Sequence, residues 1–397
     1  MKRLKILTII LILITTFNVS AKELDIYSNN AILYNMKEDK VIYEKNSTDK
    51  VSIASLTKIT TSIVALENIK DLDEKITITK DDFKGLYEAN AAVAGFQVGE
   101  EVTYRDLLYG LMLPSGADAA QALTRNIAGS NEKFIDLMNK KAKELKLENT
   151  NYVNPTGLDD DNHYSTVKDV ETVFNYALKN KEFKKIITSS KYTTSNKKHT
   201  FYSTLNISET LGMDYLEGGK TGTTGDAGLC LATLAKYDDT DFILVTAKAE
   251  YSKTTPRNFL DHKKIHEYIR DNYDYHEVVN KKDILVTLKT EYLKEDTISF
   301  TSNKNITMYL ENTFNKKDLT YKYTGKKIIT HKMNKNDKLG RVDIYYKDNK
   351  LTSIDIILQD KPKLSIIKYL IGHKLIVGLV LLIIIILTTL FIKIKKD

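Results

Sequence analysis

Apolar positions recur along this chain of 397 residues with two different periods, and the change of period divides it. In the first part helical and strand periods mix. Residues 31–34 and 41–44 read as a β-hairpin around the polar turn 36–40. Leu56, Ile59, Ile63 and Leu66 share one face of a helix predicted over 52–68. Residues 104–113 are helical in period and stop at Pro114. Further helices are predicted over 117–128, 134–145, 168–178 and 259–270, and strands over 228–235 and 241–247. After about His276 helical periods give way to alternation, as in Ile284, Val286 and Leu288, or Ile306, Met308 and Leu310. Residues 278–360 therefore read as a small antiparallel β domain.

The two ends follow neither pattern. Lys2, Arg3 and Lys5 precede an apolar stretch, and Val19-Ser20-Ala21 has small residues where a signal peptidase cuts. Residues 1–21 read as a signal peptide cleaved after Ala21; an uncleaved anchor is the alternative. Residues 375–392 are apolar with only two threonines, long enough to cross a bilayer, and have no polar face to offer water. They read as a transmembrane helix, joined to the β domain by a linker, 361–374, and followed by a cytoplasmic tail, 393–397. Residues 22–273, the first domain, and the β domain are expected on the outer side of the membrane.

Charge adds little. The formal net charge is +7, but Lys2, Arg3 and Lys5 and the lysines of the tail supply most of it, so there is no nucleic-acid signal. Cys230 is the single cysteine, so the fold has no internal disulfide. In its apolar run it reads as a buried structural thiol. His262 and His266 are spaced i, i+4, but sit beside Lys263 and Lys264 on what reads as an exposed helix, without the H-E-x-x-H pattern of a zinc site. No metal or organic cofactor is expected.

The candidate chemistry begins at Ser55-Leu56-Thr57-Lys58. The same S-x-x-K spacing also occurs at Ser47, Ser130, Ser165, Ser195 and Ser365. Ser55 differs in lying at the start of an amphipathic helix, so that Lys58 follows on the same side one turn later. Val51, Ile53, Ala54, Leu56 and Ile59 surround it, and a lysine among them should have a depressed pKa. A neutral lysine within reach can take a serine's proton, and unpaired N–H groups at a helix start suit an oxyanion. The bland reading is a capping serine with a solvated lysine.

Lys220-Thr221-Gly222 is the one K-T-G in the chain, preceded by Gly218-Gly219 and followed by Thr223 and Gly225. Its glycines would let a substrate backbone approach, and its lysine and hydroxyls suit a carboxylate. Ser115-Gly116-Ala117, after Pro114, would put the Ser115 hydroxyl on a loop between helices. Each element taken alone has an ordinary structural explanation.

In this order the three elements resemble the penicillin-interacting serine hydrolases, and within them the D-alanyl-D-alanine carboxypeptidases among the low-molecular-mass penicillin-binding proteins. The resemblance runs from about Ala31 to Tyr268. It includes Val98-Gly99-Glu100, Arg105 to Gly110, Asn154-Pro155-Thr156-Gly157-Leu158, and His163 to Thr166 with Asp169. It implies an α+β fold: a β-lactamase/transpeptidase-like catalytic domain, an antiparallel sheet flanked by helices, followed by a small all-β domain and the C-terminal transmembrane helix. It also implies the roles. Ser55 is the acylated nucleophile, Lys58 its base and Ser115 a proton relay. Lys220, Thr221, Gly222 and Thr223 bind substrate, with the N–H groups of Ser55 and Thr223 as the oxyanion hole. The implied partners are peptidoglycan stem peptides ending in D-Ala-D-Ala and β-lactam antibiotics. Arg257 falls where the family often has a basic residue, and a surface arginine explains it equally well. Ala117 departs from the family, which usually has Asn there, and this puts the rate in question. The alternatives are a β-lactamase-like hydrolase, for which Glu171 mimics the needed glutamate although it reads as a solvated helix position, and a weakly active or non-catalytic wall-binding member.

Overall fold

The structure is a computed structural model and describes residues 24–395, so the expected signal peptide lies outside the described residues. The chain divides into two compact units at Asp271/Asn272.

The first unit is built on a five-stranded antiparallel sheet. Its strands are β1 (Asn30–Asn35), β2 (Lys40–Lys45), β3 (Leu216–Thr224), β4 (Gly228–Tyr237) and β5 (Thr240–Ala249), in the spatial order β2-β1-β5-β4-β3. β3 is thus an edge strand, with one row of backbone N–H and C=O groups unpaired by the sheet. Alternation decides what each face meets. Cys230, Ala232, Leu234, Ile243, Val245 and Ala247 join the main core. That core is closed by α1 (Thr57–Asn68), α2 (Tyr104–Met112), α3 (Ala117–Ala128), α4 (Asn131–Glu144), α5 (Val167–Leu178) and α6 (Lys181–Ile187). On the other face Thr233 and Thr246 meet α7 (Arg257–Asn272), which closes the opposite side of the sheet.

α1 is the central helix. Every residue from Thr57 to Ala65 is buried, the polar ones included. Three of its hydroxyls are accommodated because loop 150–165 wraps it, whereas that of Ser62 is buried without a partner among the described residues. Thr60 Oγ1 bonds to the Tyr152 hydroxyl at 2.7 Å, Thr61 Oγ1 donates to the Pro155 carbonyl at 2.7 Å, and Thr57 Oγ1 bonds to His163 Nε2 at 2.8 Å. Satisfied in this way, they fix how the loop lies against the helix.

α7 differs from the sequence expectation. His262 and His266 point into the sheet and are fully buried, not exposed. His262 bonds to Thr233 Oγ1 at 3.0 Å and Thr246 Oγ1 at 3.1 Å; His266 Nδ1 meets the Tyr237 hydroxyl at 3.2 Å. Of the lysines beside them, Lys264 is exposed, whereas Lys263 is half-buried and donates to the Leu211 carbonyl at 2.9 Å. Burial holds both imidazoles below their usual range, His266 at about 3.

The second unit is β-rich, running from Tyr273–Val279 to Asn349–Ile357 around a core that includes Val278, Leu288, Ile329, Val342, Ile344 and Ile356. A short helix, Ile366–Gly372, stands where a plain linker was expected. It is followed by the helix Lys374–Ile394, whose stretch Lys374–Ile392 has a mean hydropathy of 3.3 and is long and apolar enough to cross a membrane.

Candidate active site

Ser55 sits in a short 3-10 turn, Ala54–Leu56, that runs directly into α1. Lys58 follows in the first turn of the helix, and its Nζ stands 2.8 Å from Ser55 Oγ and donates to the Thr156 carbonyl at 2.6 Å. The lysine is only 3% exposed, whereas Ser55 remains half-buried. Burial pushes the Lys58 amine down to about 7, against a smaller opposing pull from Asp118. When neutral, this nitrogen keeps one N–H on Thr156 and offers its lone pair to the Ser55 hydroxyl.

Three segments close on that pair. The first is the loop Asn154-Pro155-Thr156-Gly157-Leu158. Asn154 Oδ1 accepts the backbone N–H groups of Thr156 (3.1 Å), Gly157 (2.7 Å) and Leu158 (3.2 Å), tightening the loop onto itself. Gly157 has φ +82°, and a Cβ there would lie 1.9 Å from the Ala54 carbonyl oxygen, so only glycine fits. The loop presents the Thr156 carbonyl to Lys58. The five residues belong to the sequence resemblance, but this carbonyl as a partner of Lys58 was not foreseen. An Asn two to four residues ahead of these N–H groups is the local signal for such a turn.

The second segment is β3. Lys220 is fully buried, and its Nζ donates to the Thr221 carbonyl at 2.9 Å. Burial, then repulsion from Lys58, holds its amine well below the usual lysine value. Thr221 Oγ1 donates to Thr204 Oγ1 at 2.8 Å. Gly222 is the point of closest approach to the serine: a Cβ would be 3.0 Å from the Ser55 nitrogen and from Ala54 Cβ. Thr223 is exposed on the far side of that contact.

The third segment is the break between α2 and α3. Ser115 is buried with φ +69°, and Ala54, just before the nucleophile candidate, has φ +47°. Two non-glycine residues in the left-handed region flank one site, each costing of order 1–3 kcal/mol that the surrounding packing must offset. Ala117 N–H donates to the Ala92 carbonyl at 2.8 Å. Asp118, the next residue along α3, is buried and spends its carboxylate on backbone N–H groups. Its carboxylate accepts from Ala94 (2.7 Å), Gly95 (3.0 Å) and Phe96 (3.2 Å), pinning the loop that leads to the short strand Glu101–Thr103.

These segments bound a cleft of about 670 Å³, lined by Ser55, Lys58, Ala117, Thr156, Thr223 and Tyr251 among others. Ser115, Lys220, Thr221 and Gly222 are not among the residues that line it. Lys58 spends its hydrogen bonds on Ser55 and Thr156, and none joins it to Ser115. Arg257 is away from the cleft, bonded to Glu250 and stacked on Tyr27 at 5.1 Å. Glu171 is also outside it and is buried, not solvated; burial pushes its carboxyl up to about 7. His163 bridges Thr57 and the Val153 N–H, and burial pushes it down to about 4, a structural role. The Cys230 thiol is buried and pushed up to about 12. Among the described residues no group of His, Cys, Asp and Glu is placed to hold a metal ion.

The sequence model of the family described as D-alanyl-D-alanine carboxypeptidase matches residues 16–250, more than half of the chain. The chain belongs to this family. A second model, described as penicillin-binding protein 5, C-terminal domain, matches residues 273–363. The D-alanyl-D-alanine carboxypeptidase DacF of Bacillus subtilis is 34% identical over 272 residues, which are 65% of this chain and 68% of that protein. DacC of Escherichia coli, with the same description, is 35% identical over 239 residues, 55% of this chain and 56% of that one. The crystal structure of the Streptomyces K15 DD-transpeptidase superposes with a TM-score of 0.57 at 30% identity, covering 62% of this chain and 98% of the other. Penicillin-binding protein 5 from Haemophilus influenzae superposes with a TM-score of 0.66 over 85% of this chain and 98% of its own, at 21% identity, which speaks to fold alone. The expected family and the α+β fold with a β-rich second domain are borne out.

Proposed function

We propose that this family member is a D-alanyl-D-alanine carboxypeptidase that removes the terminal D-alanine of peptidoglycan stem peptides through an acyl-enzyme on Ser55. The observation that carries the reading is the Lys58 amine, buried, pushed down to about 7 and 2.8 Å from the Ser55 hydroxyl. Neutral Lys58 takes the hydroxyl proton as Ser55 Oγ attacks the carbonyl of the penultimate D-alanine. The N–H groups of Ser55 and Thr223 receive the oxyanion. The peptide C–N bond breaks, and the proton reaches the leaving amine by way of Ser115. Lys220 and Thr221 hold the terminal carboxylate; its arrival restores a charge that burial alone disfavours on Lys220. Gly222 lets the substrate and Ser55 share the narrow gap beside β3. Water then attacks the ester with Lys58 again as base, freeing the acid and Ser55.

A β-lactam enters the same path through its strained amide and remains on Ser55 when water is slow. Glu171, buried and away from the cleft, gives the β-lactamase alternative no deacylating base. We further assign residues 22–273 to the catalytic domain, 278–360 to the β domain and 375–392 to a membrane tether, with residues 1–21 removed on export and 393–397 on the cytoplasmic side. Ser55→Ala tests the core of the proposal: it should abolish both D-alanine release from a D-Ala-D-Ala peptide and covalent labelling by fluorescent penicillin. Intact release in that variant overturns it.

A further inference from the structure

We propose that Asp159 is a specificity-determining residue, selecting peptides with a side-chain ammonium on the residue immediately before the D-alanine that acylates Ser55. The inference rests on the function proposed above and deepens it.

β3 acts as a ruler along the cleft. It is an edge strand, so an extended peptide can add to it through backbone hydrogen bonds. Lys220 and Thr221 mark the end that receives the terminal carboxylate. Gly222 marks Ser55, and Thr223 the carbonyl under attack. A peptide whose C-terminus lies at Lys220 runs antiparallel to the strand. At about 3.3 Å per residue, the residue before the acylating D-alanine then falls beside Thr224 and Gly225. Both line the cleft, as does Asp159.

Asp159 is fixed at that point. Its Oδ2 accepts the Asp226 N–H at 3.1 Å and lies 3.8 Å from where a Cβ of Gly225 would stand. It belongs to the same loop that gives Thr156 to Lys58, so its place relative to Ser55 is set by the catalytic geometry itself. The carboxylate is exposed, and it forms no ion pair among the described residues. An acid on a cleft wall, beside the strand position where a side chain must pass, presents charge to a cation and repels an anion. Gly225 beside it has no side chain to cover the carboxylate.

The test uses the full chain and tripeptides that differ at one group. Nα-Acetyl-L-lysyl-D-alanyl-D-alanine carries a free ε-amine; its Nε-acetylated form does not. Wild type should favour the free-amine lysyl peptide by about two- to fivefold in kcat/KM, mainly through KM, the range expected of an exposed charge pair. Asp159→Asn should bring the ratio to about one and Asp159→Lys should invert it. Added salt should shrink it in wild type only. Reading the ratio within each variant, beside that variant's own penicillin labelling, cancels any loss of folded enzyme. Equal cleavage by wild type, or a preference that survives Asp159→Asn, overturns this inference alone. Cleavage of neither lysyl peptide by wild type that still takes penicillin overturns the carboxypeptidase reading and the inference with it.

Discussion

Gly222 and Ser55 are in contact across the cleft floor, with room for no side chain between them: a Cβ on Gly222 would come 3.0 Å from the Ser55 backbone nitrogen. The neighbour is backbone and cannot rotate away, and the other side of that turn is held by Gly157 against Ala54. The strand and the serine turn therefore have to separate by a few tenths of an ångström if a methyl is added. Such a displacement matters little to a sheet whose other pairings persist, but it moves the nucleophile relative to the groups that orient substrate.

Gly222→Ala should accordingly keep its fold and lose function. Misplacement on the scale of an ångström at a reacting centre costs on the order of 10²-fold, and a smaller shift here should slow penicillin acylation by roughly 10- to 100-fold. Stopped-flow acylation alongside circular dichroism checks this. A normal acylation rate would show that β3 does not govern the position of Ser55.

Lys58→Met should abolish acylation and at the same time stabilise the protein. The folded amine titrates at about 7, below the unfolded lysine value of about 10.4, so between those limits the folded chain holds fewer protons than the unfolded one. The lysine's contribution is favourable only above the unfolded value and is lost as pH falls toward 7. Methionine fills the space without that cost, so the variant should gain on the order of a few kcal/mol near pH 7 and much less at pH 10. Thermal melts at both pH values measure the difference. In wild type the acylation rate should rise with pH through about 7, as Lys58 becomes able to accept the serine proton.

How much of this was legible in the sequence depends on what each residue has for neighbours. Ser55 and Lys58 stood out because the apolar period of 52–68 placed them on one helix, and the structure brings them into hydrogen-bond contact. β3 was not among the strands that the apolar pattern predicts. Gly218, Gly219 and Gly222 suppress alternation and strand propensity, and they are there because Ile187, Ala232 and Ser55 press on them. His262 and Glu171 were both misplaced on exposed faces. Lys263 and Lys264 suggested solvent around His262, and the stripe Val170, Val173, Phe174 and Ala177 left Glu171 outside it, whereas a sheet packed against a helix buries more than its strictly apolar stripe. The Thr156 carbonyl was beyond the reach of pattern, since a backbone oxygen carries no residue type.

Glu171→Gln separates a structural acid from a catalytic one. Glu171 lies in α5 with its Oε1 buried and without a close hydrogen-bond partner; its Oε2 accepts from Thr172 Oγ1 at 3.5 Å, and Asn175 also acts on the carboxyl. Burial first, and Asp39 nearby, raise its carboxyl from the usual value of about 4.3 to about 7. The sign follows from the raised value: the folded chain holds the proton more tightly, so the contribution is favourable below about 4.3 and is lost as pH rises through 7. At pH 8 an ionised carboxylate is confined where a neutral amide would serve better. Glutamine should therefore raise the melting temperature by several degrees at pH 8, with a much smaller change at pH 5, where the wild-type carboxyl is already protonated in the fold. Penicillin acylation and release should be unaltered at both pH values, because Glu171 lies outside the cleft. A fall in the release rate, with acylation intact, would instead give Glu171 a part in deacylation and return the β-lactamase reading to contention.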